Sequence, residues 1–138
     1  MKFTEPSADF LPLEQWLADP AGRQAVAVPN DFDIEALEAR LPALRAIALH
    51  FPKWVDGRAY SQARLLRMRF RFAGEIRATG EVLVDMLPLM ARTGFDAALL
   101  RADQSLANAR RALGFFAEGH YQGDVTETRP RFARPAAA

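Results

Sequence analysis

Apolar and polar positions along this chain fall into blocks whose period changes. Ala25 to Val28 is a short apolar run closed by Pro29 and Asn30, the pattern of a buried strand. "DFDIEALEARL" follows, with Ile34, Leu37 and Leu41 on one face of a helix that Asp33 can cap and Pro42 ends. "LRAIALHF", Leu44 to Phe51, predicts a second strand stopped by Pro52. Arg58 to Phe70 reads as a helix with Ala59, Ala63, Leu66 and Phe70 along one face. Gly74 to Gly80 predicts a third strand, in which Ile76 and Ala78 alternate with Arg77 and Thr79. Glu81 to Thr93 predicts a third helix, kinked at Pro88 and closed by Gly94 as a left-handed C-cap. "FDAALL", Phe95 to Leu100, is the fourth strand, and Asp103 opens a last helix that runs through Phe116.

Strand and helix thus alternate four times, which argues for an α/β domain with a parallel sheet and right-handed crossovers. Four β-α units are half of a closed barrel. The expectation is an open sheet, or a half-barrel whose exposed edges favour a homodimer. Residues 1–22, with Pro6, Pro12 and Pro20, read as an N-terminal arm carrying one helical turn over Leu13 to Ala18 and packing Trp16 onto the body. Residues 23–118 form the domain, and 119–138 an extended C-terminal tail.

Composition changes this picture only by exclusion. A chain of 138 residues, half hydrophobic and a quarter charged, has the makeup of one globular core. A net charge of +1 gives no electrostatic reason to expect nucleic acid or a membrane surface as partner. With no cysteine, disulfides, thiolate catalysis and thiolate-held metals are excluded. The N-terminus has no continuous apolar core of a signal peptide, and no apolar run nears the roughly 20 residues of a membrane helix. A soluble cytoplasmic protein is expected.

Chemistry gathers in one place. "FPKWVDGRAYSQARLLR", Phe51 to Arg67, crowds Lys53, Asp56, Arg58, Tyr60 and Ser61 just past a strand end. Parallel α/β folds bind ligands beyond the carboxyl ends of their strands. That rule would bring Lys53, Asp56, Arg58 and Ser61 together with Arg77 from the third strand, as candidates for an anion-binding rim. Asp85, Arg101 and Asp103 are secondary candidates. The competing reading is structural pairing, with Asp56 on Arg58 and Arg77 on Glu75 or Asp85, and it is the heavier one because spacing alone does not establish convergence. Asp56, Asp85 and Asp103 suit helix caps better than a cation, so no metal is expected. His50 and His120 lack a nucleophile motif, and "GEIRATG" is neither a phosphate loop nor a dinucleotide fingerprint, so no cofactor is expected.

The stretch from Phe51 to Arg67, with "GEIRATGEVLVDML" and "RTGFDA" after it, resembles a bacterial domain-of-unknown-function family, number 934. The matching positions include Phe51, Pro52, Asp56, Gly57, Arg58, Tyr60, Ser61, Arg64 and Arg67, then Gly74, Glu75, Arg77, Gly80 and Asp85, then Gly94, Phe95 and Asp96. Trp54 stands where phenylalanine is expected, Thr93 where cysteine is common, Met86 where glutamine is frequent, and Arg71 where a helix-ending glycine is usual. The resemblance implies a place beside sulfite reductase in assimilatory sulfite reduction. A reductase needs an electron carrier, and no flavin, nicotinamide or haem motif is present. The expected role is therefore an accessory protein acting with sulfite reductase. The alternative is a cofactor-free enzyme or small-anion-binding protein acting on a sulfur-pathway metabolite.

Overall fold

The computed structural model describes residues 1–19 and 22–115, and within them six strands form one parallel sheet. They are β1 (Lys2–Phe3), β2 (Leu11–Pro12), β3 (Ala25–Val28), β4 (Ala46–Phe51), β5 (Glu75–Gly80) and β6 (Ala97–Ala98), in the spatial order β1-β6-β5-β4-β3-β2. The α/β class and the parallel sheet are as the sequence predicts. The expected N-terminal arm adds more than a helical turn, because it supplies both edge strands. The end of the last helix at Phe116 and the tail over 119–138 lie outside the described residues.

From β2 to β6 each step moves one strand over in the same direction. Right-handed crossovers then put every connection on one face. These connections are α1 (Leu13–Ala18), a 3-10 helix over Ile34–Ala43, α2 (Arg58–Arg64) and α3 (Leu87–Thr93), with α4 (Leu106–Phe115) packed beside α3. The strand register explains why that face is the core. Val26, Ile47 and Ile76 pair in one row, and Val28, Leu49, Ala78 and Ala98 in the next, all fully buried. Winding in one direction is also how a barrel is built, but here β1 and β2 stay unpaired with each other and the sheet is open.

The segment from Thr4 to Phe10 must travel from one sheet edge to the other. Five strand spacings are roughly 24 Å, and the eight steps from Phe3 to Leu11 reach about 26–29 Å at full extension, so there is little slack. The move runs against the winding, so the same handedness sends it across the second face. Phe10 lies there, its ring 4.6 Å from the Arg77 guanidinium, and Lys2 pairs with Glu75 on the same face. Beneath this strap the sheet presents Ala25, Ala27, Ala46, Ala48 and Ala97, small residues that let a single chain pass close.

Local chemistry accounts for the departures from simple helices. The first expected helix is a 3-10 helix capped by Asp33, whose carboxylate accepts the Glu35 N–H at 3.0 Å, and Pro42 lies within it. α2 runs on as a π turn over Leu65–Arg69, with the Phe70 N–H reaching the Leu65 carbonyl. The third helix is shorter than Glu81 to Thr93. A 3-10 turn, Val84–Met86, precedes α3, and Pro88 sits in its first turn, where its missing N–H costs nothing and no kink results. Gly94 closes α3 at φ +117, as expected. Arg67 binds these pieces together. Nε donates to the Gly94 carbonyl, Nη1 to those of Phe72 and Gly74 at 2.8 and 2.7 Å, and Nη2 lies 3.3 Å from Asp96. Burial lowers its pKa, and Asp96 works against that shift.

Candidate functional site

Two clusters stand at the carboxyl ends of the strands. The first is the β4–α2 loop. Asp56 accepts Nε and Nη2 of Arg58, the latter at 2.8 Å, and also the Arg58 backbone N–H at 3.1 Å. One carboxylate thus both fixes the guanidinium and starts the helix. Asn30, at the end of β3, donates to the same carboxylate at 2.8 Å and ties two loops together. The Arg58 side chain first, then its N–H and Asn30, hold Asp56 well below the usual carboxylate range, and Asp56 raises Arg58 in turn. Gln62, buried on the inner face of α2, donates to the carbonyls of Pro29 and Phe32 at 2.9 and 3.0 Å and completes the brace.

At the tip of this loop Trp54 and Val55 are 53% and 67% exposed. The loop is nevertheless fixed: the Trp54 N–H donates to Glu81 at 2.9 Å, and the Asp56 N–H to the Lys53 carbonyl at 3.0 Å. Beside it, Gly80 turns the chain at φ +92, and a Cβ there would stand 2.3 Å from the Phe51 carbonyl. That carbonyl also accepts the Glu81 N–H, which sets Glu81 under the tip.

The second cluster follows β6. Arg101 grips Asp103 through two bonds of 2.7 and 2.8 Å and approaches Glu81 at 3.9 Å, so Glu81 stands between the clusters. The Arg101 hydrogen bond above all draws the Asp103 pKa down from 3.8 to about 2, and raises its own. Asp103 and Asp85 line an open groove of about 620 Å³ with Gln104, Asn108 and Arg111.

The structure brings Lys53, Asp56 and Arg58 together, and Asp85, Arg101 and Asp103 together. Ser61 stands on the outer face of α2, lining a shallow hollow of about 310 Å³ with Arg64, Leu65, Met68 and Arg69. Arg77 is not on the rim. It points to the second face, paired with Glu75 at 2.8 Å beneath Phe10. Burial pushes Glu75 up, but Lys2 and Arg77 outweigh it and hold the carboxyl below its ordinary value. His50 meets Thr79 at 3.4 Å. Among the described residues no group of three histidines or carboxylates could hold a metal, and no helix is long and apolar enough to cross a membrane. A hollow of about 410 Å³ lies at the opposite end of the sheet, between Leu41, Phe70 and Arg71.

Sequence reasoning passed over Gln62, Glu81 and the exposure of Trp54. Gln62 had a readable signal, since it falls on the apolar face between Ala59 and Ala63, where a polar side chain needs a partner. Glu81 and Trp54 depend on which loops meet, which no local pattern carries.

A family model described as "Bacterial protein of unknown function (DUF934)" matches residues 25–132. The span opens at β3 and holds both rim clusters, whereas β1, β2 and α1 precede it. No curated protein matches the chain.

Proposed function

The chain belongs to the DUF934 family of bacterial proteins, and from that membership we propose that it is a cytoplasmic accessory protein of assimilatory sulfite reduction, acting with sulfite reductase. The pathway rests on the family resemblance. The contact role rests on one observation: the loop holds Trp54 and Val55 out to solvent while its own bonds are closed. A pre-ordered aromatic loses little entropy on docking, and buried Trp and Arg dominate the energetics of interfaces. The charges agree with such a contact. Asp56 is 22% exposed and occupied by Arg58 and Asn30, whereas the Arg58 side chain is 59% exposed beside the exposed Lys53. The tip therefore suits an apolar pocket bordered by carboxylates.

Co-purification of tagged wild type and Trp54→Ala with sulfite reductase tests this. The wild type should retain the reductase and the variant should lose most of it, with unchanged melting temperature. Failure of the wild type to bind, together with normal growth of a deletion strain on sulfate, removes the proposal.

A second reading keeps the same loop as a small-anion site in a binding protein or cofactor-free enzyme. It is favoured by Arg58, whose Nη1 makes no hydrogen bond among the described residues. Stabilisation of the wild type, but not Arg58→Ala, by sulfite or phosphate in a thermal melt would support it.

A further inference from the structure

The groove of the second cluster is lined by charges that do not meet. One wall is the turn after β5, carrying Val84 and Asp85; the other is α4, carrying Asn108 and Arg111. The Val84 N–H donates to Gln104 at 2.8 Å and ties the walls together. Asp103 is occupied by Arg101. Among the described residues Asp85 and Arg111 make no hydrogen bond or ion pair, although both line this groove. Elsewhere on the rim opposite charges have closed on one another, as Asp56 has on Arg58 and Asp103 on Arg101.

We propose that this groove binds a small zwitterion of the amino-acid class, its ammonium at Asp85 and its carboxylate at Arg111. Asn108 stands three residues before Arg111, so both side chains share one helix face and can address one carboxylate. Asp85 answers the ammonium across the gap. Val84 and Ala112 supply apolar wall for the ligand's side chain. The volume of about 620 Å³ lies within the range of small-molecule sites, and the position beyond β5 and β6 is where parallel sheets place them. A simple anion would leave Asp85 opposing it, and a metal ion would meet Arg111. Only a ligand with both charges satisfies both walls.

Calorimetric titration of the full chain with each common L-amino acid, and with acetate and methylammonium as one-ended controls, tests the assignment. At least one amino acid should bind saturably at concentrations where neither control does. Asp85→Asn and Arg111→Gln should each weaken that binding by about ten- to hundredfold, the range of a lost charge-assisted bond. Both variants should melt as the wild type does in the absence of ligand. Absence of saturable binding by any amino acid at millimolar concentration overturns the proposal. So does acetate binding as well as the amino acids, or binding indifferent to both substitutions.

Discussion

Asp56 and Asp103 serve the same purpose twice. Each stands two residues from an arginine, grips its guanidinium and remains ionised far into acid. The two arginines are on opposite sides of their carboxylates in the chain, so no repeat links them; the shared cause is a polar loop that must end in a fixed geometry. Asp103 gives the measurable case. Its folded pKa of about 2 lies below the 3.8 of an unperturbed carboxyl, so the pairing stabilises the fold above pH ~4 and that contribution is lost as pH falls toward 2. The Asp103 carboxyl should titrate near 2 by NMR, and Arg101→Gln should move its midpoint up toward 3.8. A midpoint unaffected by the substitution would mean that the fork seen here does not persist in solution. Thr93, where the resemblance leads one to expect cysteine, is buried with its hydroxyl donating to the carbonyls of Leu89 and Met90. A polar side chain at this position needs only those helix carbonyls, which any sequence supplies.

At the scale of elements, the long apolar blocks were legible and the short ones were not. β3, β4 and β5 lie where alternation and proline punctuation place them, because a strand buried among neighbours needs a continuous apolar face. β1 and β2, of two residues each, carry no period at all, and only β3 and β6 make them strands. The rim was legible as a place: Lys53, Asp56 and Arg58 stand there, as do Arg101 and Asp103. Arg77 was misplaced by following the strand to its end, when its side chain is turned back by Glu75 and covered by Phe10. The helix end at Arg71 shows a family expectation met in backbone rather than in residue. Where glycine is usual, this arginine adopts φ +55, the only positive value outside glycine among the described residues. A side chain in that region costs about 1–2 kcal/mol, partly offset by glycine's greater freedom when unfolded. Arg71→Gly should therefore raise stability by about 0.5–1 kcal/mol in urea unfolding; a loss would show that the arginine contributes contacts outweighing its strain.

For the whole molecule, the decisive feature is the strap from Thr4 to Phe10 across the alanine face. It joins the two edges, and among the described residues Phe10 stacks on Arg77 while Lys2 on Glu75 and the two edge pairings hold its ends. Phe10→Ala should cost about 1–2 kcal/mol and speed both amide exchange in β1 and cleavage between residues 4 and 10. Unchanged protection would mean that the edge pairings alone retain the segment. The strap also sets an order in time. During synthesis β2 to β5 can pair one after another as they emerge, each with the strand made just before it. β1 cannot, because its partner lies far downstream: the Thr4 N–H and hydroxyl both reach Ala98, 94 residues away. At about 5–20 residues per second, the first strand waits roughly 5–20 seconds for the last to leave the ribosome. The strand made before all the others is thus the one that finishes the sheet, and until it does, one growing edge of every nascent copy stands open to any chaperone or neighbour within reach.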